Sequence, residues 1–227
     1  MALLSDEGLV GRFEEVGRGH AEQILQMVDA VLAEAGTALA AVDGVAASVG
    51  PGSFTGVRIS VSVAQGLAFG AGLPLVGVTT LEALAMQAIR GGASNVLTCL
   101  DARMGEVYWG CFEADSARGL VATRPMAVGS AQSVGDALAV HMPFTGAFHG
   151  IGRGFAAYPA LQSLPGLLLL PGASGALPDA RDMAYLGALR LRAGEGGDPA
   201  DLAPQYVRDK VALTELERKT AGAGPAR

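Results

Sequence analysis

The stretch GPGSFTGVRIS, residues 50–60, is the part of the chain whose residue types come closest to a phosphate-binding loop. Glycines let a backbone approach a ligand closely, and the first turn of a helix offers unpaired N–H groups. The spacing matches neither common fingerprint, because Val57 and Arg58 replace the Walker Lys-Ser/Thr pair and G-x-G-x-x-x-G replaces G-x-G-x-x-G. A structural turn with a helix cap at Ser53 or Thr55 is therefore the favoured interpretation.

A second group of polar residues surrounds a predicted turn at 101–106. Asp101 and Glu106 bracket it and could form an acid/base pair or bind Mg²⁺, although aspartate more commonly serves to form the turn itself. Arg103 could meet a phosphate or be solvated. The alternative hypothesis of a nucleotide site rests on Gly50, Gly52, Ser53, Asp101 and Arg103.

The histidines do not form a metal-binding pattern. His20 has Ile24 at i+4 where many helical metal sites carry a second histidine, and neither His141 nor His149 has a cysteine or carboxylate nearby in sequence. The G-x-S-x-G elbow of α/β-hydrolases is also missing. The residues alone therefore nominate neither a catalytic group nor a metal site.

Composition excludes several classes of protein. The 227 residues carry a net charge of −6, and an acidic chain without basic clusters is a poor nucleic-acid binder on its own. Two cysteines, Cys99 and Cys111, do not make a secreted disulfide framework and are expected to be reduced core thiols. The most apolar window, 61–78, is interrupted by Gln65, glycines and Pro74. We expect a cytoplasmic protein without a signal peptide or a membrane span.

The periodicity of the first half predicts a β-hairpin followed by alternating helices and strands. The hairpin uses 2–4 and 9–15, and Thr79 with Glu82 forms a capping box at the start of the last helix. The predicted elements that follow the hairpin are a helix over 20–35, a strand over 42–49, a helix over 55–70, a strand over 73–78 and a helix ending at 90.

The second half begins with another predicted hairpin, over 95–100 and 107–112. The remaining predicted elements are a strand near 121–128, a helix over 133–141, a strand near 144–150, an apolar run at 167–170 and a helix over 179–193. A hairpin thus opens each half and alternating elements follow, which favours two α/β lobes.

The predicted helix over 55–70 is more apolar than one sheet requires. A helix on a single sheet needs only about a 100° apolar stripe, whereas here apolar residues cover more than half of the circumference. Arg58, Ser62 and Gln65 form a narrow polar strip that also contains Phe69. Either the helix over 20–35 or a second protein chain must cover the surplus apolar surface.

Three stretches resemble the bacterial TsaB family, also called YeaZ. They are SVGPGSFTGVRISVSVAQGLAFGAGLPLVGVTTLEALA at 48–85, DARMGEVYWGCF at 101–112 and PQYVRDKVAL at 204–213. The helix over 19–36 is similar more loosely, and the resemblance extends over nearly the whole chain.

The resemblance implies an α/β fold of the actin-like, sugar-kinase-like (ASKHA) type, with two RNase H-like lobes. We expect an N-terminal lobe at 1–93, a C-terminal lobe at 94–218 and a flexible tail at 219–227. Members of the family usually carry one further strand at the start, in the middle of the first sheet. The residues at 1–4 align inside the family's second strand, so that first strand is expected to be missing here, through either a misassigned start or a damaged copy.

The resemblance also implies a function in making N6-threonylcarbamoyladenosine next to the anticodon of tRNAs that read ANN codons. In this family the subunit is an accessory protein, not an enzyme by itself. It pairs with its paralogue TsaD, which carries the metal and transfers the threonylcarbamoyl group, and a small ATPase, TsaE, joins them. The chain would contact tRNA only through this complex, and a homodimer in the absence of TsaD stays open.

The family contact with TsaD is a bundle of the first two helices of each partner, which correspond to 20–35 and 55–70 here. The residues expected to bind the partner are Ile24, Leu25, Val28, Arg58, Val61, Ala64, Gln65 and Ala68. No catalytic residue, metal ligand or bound cofactor is assigned, and ATP or ADP is left as an option for the complex. The alternative functions are an active ATPase or kinase of the same fold and a glycoprotease-like metallopeptidase.

Overall fold

The computed structural model describes residues 1–15 and 20–208. Its first half confirms the predicted order of a hairpin, then helix, strand, helix, strand, helix. The elements are β1 (Ala2–Ser5), β2 (Gly8–Gly11), α1 (His20–Glu34), β3 (Val45–Ser48), α2 (Phe54–Ala71), β4 (Leu75–Val78) and α3 (Thr80–Arg90). The predicted tail at 219–227 lies outside the described residues.

The second half opens with the predicted long hairpin. Its elements are β5 (Asn95–Arg103), β6 (Glu106–Asp115), β7 (Gly119–Ala122), β8 (Ala127–Ser130), α4 (Ala131–Val140), β9 (Phe148–Ile151), α5 (Gly154–Ala157), β10 (Leu167–Leu168) and α6 (Ala180–Arg192). The single strand predicted near 121–128 is wrong, because two strands occupy this region. Pro125 stands between them, and proline has no N–H with which to continue a ladder.

The second half forms a six-stranded sheet in the order β10-β9-β5-β6-β7, with β8 beside the other end of β6. β5 lies at the centre, since it pairs antiparallel with β6 and parallel with β9. Helix α3 packs on one face of this sheet, and α4 and α5 pack on the other. Both faces are therefore buried, and this half contains the largest fully buried side chains, Phe112, Phe148 and Phe155.

The first half contains two separate two-stranded sheets. β1 pairs antiparallel with β2, and β3 pairs parallel with β4. Within residues 1–15 and 20–208, no strand connects β1 to β3. This is the position at which the sequence analysis expects the first strand of the family.

Helix α6 packs against both small sheets although it follows the second half in sequence. It contacts β1, β3 and β4, and Gly187 on α6 lies so close to Ala46 on β3 that a side chain has no room there. Residues 180–192 thus join the core of the first half, whereas the sequence analysis grouped them with 94–218. The division of the chain at residue 93 stays a prediction.

The helix starts follow from local side-chain chemistry. The Ser53 hydroxyl oxygen accepts from the Gly56 N–H at 3.1 Å and caps α2. At α3 the predicted capping box is confirmed: the Thr79 hydroxyl oxygen accepts from the Glu82 N–H at 3.1 Å, and the Glu82 carboxylate accepts from the Thr79 N–H at 2.7 Å. Both caps satisfy N–H groups that a helix leaves unpaired, so these two helices begin at defined residues.

Candidate functional site

The glycine-rich loop at 50–53 is anchored to the start of α3. Gly50 and Pro51 are buried, and the Gly50 carbonyl accepts a 2.8 Å hydrogen bond from the Thr80 N–H. The Thr80 hydroxyl donates to the Pro51 carbonyl. Together with the Ser53 cap, these contacts support the interpretation of the loop as a structural turn.

The turn at 101–106 is held by its first residue. The Asp101 carboxylate accepts from the Arg103 N–H at 2.8 Å, from the Arg103 guanidinium at 3.0 Å and from the Tyr158 hydroxyl at 3.1 Å. Arg103 and Met104 both adopt positive φ, 62° and 55°, which costs about 1–2 kcal/mol for each such residue. Desolvation raises the pKa of Tyr158, and its hydrogen bond to Asp101 adds to the shift. Asp101 therefore acts here as the residue that stabilises a strained turn.

Residues 205–208 pass between the glycine-rich loop and the 101–106 turn. The Gln205 N–H donates to the Val49 carbonyl at 2.8 Å, and the Arg208 guanidinium donates to the Ala102 carbonyl at 3.1 Å. The structure thus connects the two groups of residues of the nucleotide hypothesis through the chain itself. Binding of a nucleotide to them stays a prediction.

Two adjoining cavities of about 260 and 370 Å³ lie between the halves and share Glu82 and Ala122 as lining residues. The first lies between α3, β7 and α6, and residues 205–207 form one wall of the second. Neither cavity is lined by the five residues of the nucleotide hypothesis. The Glu82 carboxylate in their shared wall is already paired with the Arg190 guanidinium at 2.5 Å. These two charges are thus engaged with each other.

The apolar side of α2 is covered by the chain's own residues. Val61 is 3 % exposed, Ala64 8 % and Ala68 0 %. Ala64 and Ala68 pack with β3, β4 and Leu202. Sequence analysis expected Val61, Ala64 and Ala68 to contact a partner, but in the described chain they are core residues. The physical reason is the segment after α6, which folds back over α2 and buries surface that periodicity alone leaves unassigned.

The other residues expected at the partner surface differ in their environments. Leu25 on α1 is 50 % exposed, whereas Val28 is buried and Ile24 is half-buried. The Arg58 guanidinium lies 3.2 Å from the centre of the Phe54 ring and 5.1 Å from that of Tyr206. The Gln65 amide donates to two backbone carbonyls of residues 198–208. Of the predicted set, Leu25 is thus the large apolar side chain that is half exposed.

One side of α2 is exposed, and the sequence analysis placed its Ser62 and Phe69 in the polar strip without including them among the partner residues. We call this surface the exposed side of α2, and it consists of Ser62, Gly66, Phe69 and Gly70. Phe69 is 78 % exposed, more than any other phenylalanine among the described residues. The available signal was the occurrence of this phenylalanine in the polar strip of the helix.

The two cysteines are free and buried, as predicted. Cys99 and Cys111 lie on the paired strands β5 and β6, where their ladder partners are Trp109 and Leu97. Burial raises the pKa of Cys111 to about 12 and that of Cys99 well above its ordinary value. Both are thus protonated core side chains at neutral pH.

The described residues contain neither a candidate membrane span nor a candidate metal site. Among residues 1–15 and 20–208, no helix has the length and hydropathy needed to cross a membrane. Across the same residues, no three His, Cys, Asp or Glu side chains come close enough together to hold a metal ion. The side chain of His20 lies outside the described set.

Fold and site together define an α/β protein of the actin-like class, in which two halves of similar element order meet at a buried helix. The family model for "TsaD: tRNA N6-adenosine threonylcarbamoyltransferase" matches residues 13–214. A crystal structure of a protein "with similarity to peptidase YEAZ" from Pseudomonas aeruginosa superposes with a TM-score of 0.81 at 36 % identity, covering 91 % of this chain and 93 % of that one.

Sequence relatives identify the family within this class of proteins. The "tRNA threonylcarbamoyladenosine biosynthesis protein TsaB" of Escherichia coli K12 is 37 % identical over 220 residues, which cover 96 % of this chain and 94 % of the relative. A "tRNA N6-adenosine threonylcarbamoyltransferase" of Maricaulis maris is 48 % identical over 73 residues, which are 32 % of this chain and 19 % of the relative. The chain belongs to the TsaB (YeaZ) family, within the superfamily that also contains TsaD.

Proposed function

We propose that the chain is a subunit of the machinery that forms N6-threonylcarbamoyladenosine in tRNA, next to the anticodon of tRNAs that read ANN codons. Its part is to dock on a TsaD-type transferase through α1 and α2, while the transferase performs the chemistry. TsaE and the tRNA itself join through this complex. The name of the E. coli relative supports the pathway, since that relative matches the chain over almost its whole length.

The observation that carries the docking role is the exposure of Phe69 and Leu25 on the two helices. Phe69 is 78 % exposed and Leu25 is 50 % exposed, and each costs free energy in water that a partner surface recovers. The neighbours of Phe69 on the exposed side of α2 are Gly66 and Gly70. Because neither glycine has a Cβ, a partner backbone can approach this surface closely.

The relationship to TsaD supports the choice of partner. A transferase of that name shares a segment with this chain at 48 % identity, which supports a common origin of the two kinds of protein. Paralogues that pair through equivalent helices form a pseudo-twofold contact, in which each contributes a similar surface. An α1–α2 pair on each side fits such a contact.

Co-purification with the TsaD protein of the same organism tests the proposal. We expect a heterodimer with the natural chain. We expect Leu25→Glu and Phe69→Glu each to weaken it by at least about tenfold, because burying a carboxylate in place of an apolar side chain costs about 1.4 kcal/mol or more of binding free energy. The matched control is Val140→Glu, because Val140 on α4 is 88 % exposed and belongs to the other half.

The outcome that contradicts the docking surface is a heterodimer of natural affinity with both charged variants. Thermal unfolding of each variant must match that of the natural chain, so that loss of binding reflects the surface and not the fold. Val61→Glu does not test docking, because Val61 is 3 % exposed and a carboxylate there disrupts the core.

A further inference from the structure

Residues 198–208 form a continuous segment, which we call the strap, that runs from the first half to the second. It begins beside the backbone pair formed by Leu75 and Gly197, whose N–H groups donate to each other's carbonyls at 3.0 and 3.1 Å. A short 3₁₀ turn follows at Pro199–Asp201, capped by the Asp198 carboxylate. The strap therefore leaves the edge of β4 in a defined conformation.

The strap is anchored to the first half by a side chain of α2. The Gln65 amide nitrogen donates to the carbonyls of Pro199 at 2.8 Å and Leu202 at 3.1 Å. Leu202 packs into the small core that α2 shares with β3 and β4. A glutamine that satisfies two backbone carbonyls of one segment fixes that segment in both position and direction.

The middle of the strap continues along the glycine-rich loop. The Gln205 N–H donates to the Val49 carbonyl at 2.8 Å, and a Cβ at Gly50 would lie 3.3 Å from the Gln205 carbonyl oxygen. Gly50 also has φ of +97°, a conformation that favours glycine. Tyr206 then stacks near Arg58, with its ring centre 5.1 Å from the guanidinium carbon.

The far end of the strap is anchored to the second half by Arg208. Its guanidinium donates to the Ala102 carbonyl at 3.1 Å and to the Glu106 carboxylate at 2.5 Å, and it lies 5.8 Å from the centre of the Tyr108 ring. The Arg208 side chain is only 16 % exposed. Partly buried, charge-assisted contacts of this kind are stronger than those of an exposed pair.

The two halves also meet at α3, whose Leu81, Ala83, Leu84 and Ala85 are fully buried. The core around α3 includes Val78 of the first half and Val96 of the second. A cavity of about 370 Å³ separates this core from the strap, with Glu82 of α3 in one wall and residues 205–207 in another. Among the described residues, the α3 core and the strap thus join the halves on either side of this space, and the exposed Arg153–Glu15 ion pair at 2.7 Å and the packing of α6 on Gly119 add further contacts.

From this arrangement we infer that the strap is an interlobe clamp. The α3 core is the fixed side, about which the halves can open, and the strap closes the opposite side across the cavity. Arg208 anchors it to the second half, and Gln65, together with Leu202 and the Gln205 N–H, anchors it to the first. Loss of Arg208 frees the strap from the second half and loss of Gln65 loosens its hold on the first, so that in either case the halves can separate further at the cavity, as in a hinge.

Distance measurements between two spin labels test the clamp in the full chain. Cysteines introduced at Ser62 on α2 and Gln132 on α4 place one label on each half, and both positions are exposed. The native Cys99 and Cys111 are 0 % exposed and stay unlabelled. We expect a single narrow distance distribution for the otherwise natural chain, and a broader one with a longer component for Arg208→Ala and for Gln65→Ala.

Arg192→Ala is the matched control, because Arg192 is an exposed arginine on α6 that makes none of the strap's hydrogen bonds or ion pairs, and it should leave the distribution unchanged. A narrow, unshifted distribution in both anchor variants overturns the clamp, whatever their melting temperatures. Gln65→Ala removes only two hydrogen bonds, so it keeps the test open even if Arg208→Ala fails to fold.

Discussion

The two halves of the molecule follow the same element order but differ in the middle of their sheets. The first half runs in the order β1-β2-α1-β3-α2-β4-α3. The corresponding elements of the second half are β6-β7-α4-β9-α5-β10-α6, to which β5 and β8 are added. The second sheet reads β7-β6-β5-β9-β10, with β5 at its centre. The described part of the first half has the flanking pairs, β2-β1 and β3-β4, without a counterpart of β5.

This comparison identifies which backbone groups of the first half lack a ladder. At the two ends of β3, the N–H groups of Val45 and Val49 donate to the carbonyls of Pro74 and Val78 at 2.9 and 3.0 Å, towards the side on which β4 lies. Because alternate residues of a parallel strand bond to opposite sides, the groups of Ala46 and Ser48 point away from β4. β5 uses both of its sides, one for β6 and one for β9.

Helix α6 connects the two small sheets of the first half, which no described strand joins. It packs on β1 and on β3, and so holds the two small sheets beside one another through side chains. Side-chain packing tolerates small displacements, whereas a hydrogen-bonded ladder sets register residue by residue. We therefore expect the first half to be the less stable and more adjustable of the two.

Supplying a central strand to the first half should have the largest effect. A segment that copies the residue pattern of β5, joined to the amino end through an Asn-Gly turn, can pair with the edge of β1 that no described strand occupies, and can reach β3. We expect the free energy of unfolding in urea to rise by on the order of 4–6 kcal/mol, from about one per new hydrogen bond.

The control for this extension carries proline at alternate positions of the added segment, because proline cannot donate to a ladder. Equal urea midpoints for the two extended chains would show that no strand is accepted between β1 and β3. Amide exchange at Ala46 and Ser48 provides a local check, since these amides should become protected only with the pairing segment.

A methyl group added to the second half should have the next largest effect. Gly152 has φ of +114°, and a Cβ there would collide with the Cys99 carbonyl and approach Leu84 to 3.1 Å. We expect Gly152→Ala to lower the free energy of unfolding by about 3 kcal/mol, because a backbone ladder cannot move aside. Gly146→Ala is the matched control, since Gly146 also has positive φ but open space around it.

The first-half counterpart of this test is Gly187→Ala, which crowds Ala46 on β3. There the expected loss is smaller than at Gly152 although a methyl group would crowd Ala46, because alanine favours the helix and the described part of the chain gives β3 a ladder on one side only. A loss at Gly187 as large as the loss at Gly152 would argue against the greater adjustability of the first half.

The last effect depends on pH and concerns the buried thiols of the second half. Burial raises the pKa of Cys111 to about 12, so the unfolded chain ionises this thiol at lower pH than the folded chain does. The stability of the natural chain should therefore fall as the pH rises from the ordinary thiol pKa towards 12, by at most about 1.4 kcal/mol per unit from this group. The measurement is urea unfolding between neutral and alkaline pH.

Cys111→Ser should flatten this alkaline slope relative to the natural chain, because serine does not ionise in the range. Parallel slopes for the two proteins would mean that Cys111 is in contact with water in the folded state. The core of the second half would then be as accessible to water as we expect the core of the first half to be.

Local sequence patterns were sufficient for most elements. The capping box at Thr79 and Glu82, the hairpin around 101–106 and the free, buried cysteines were all predictable, because each depends on neighbours in sequence or on simple alternation. The division of 121–128 into two strands was not predicted, although Pro125 indicates it. The family motifs at 48–85 and 101–112 were specific enough to place the chain in its family.

The candidate docking surface was harder to predict, because exposure depends on distant parts of the chain. Periodicity identified α2 as unusually apolar, and the resemblance to the family led us to expect Val61 and Ala68 at a partner surface. Both are covered within the described chain, and Phe69, from the polar strip, is exposed instead. The strap covers part of this side of α2, because its Leu202 packs with Ala64 and Ala68. It is more than 130 residues from Gln65 in sequence.

The sequence by itself determined the elements, their order and the family, because hydrophobic spacing and capping act over a few residues. Only the tertiary structure decided which side of α2 meets water, which half has a continuous sheet and where the strap joins the halves. Those properties arise from contacts between residues far apart in the chain, and short-range patterns carry no record of them.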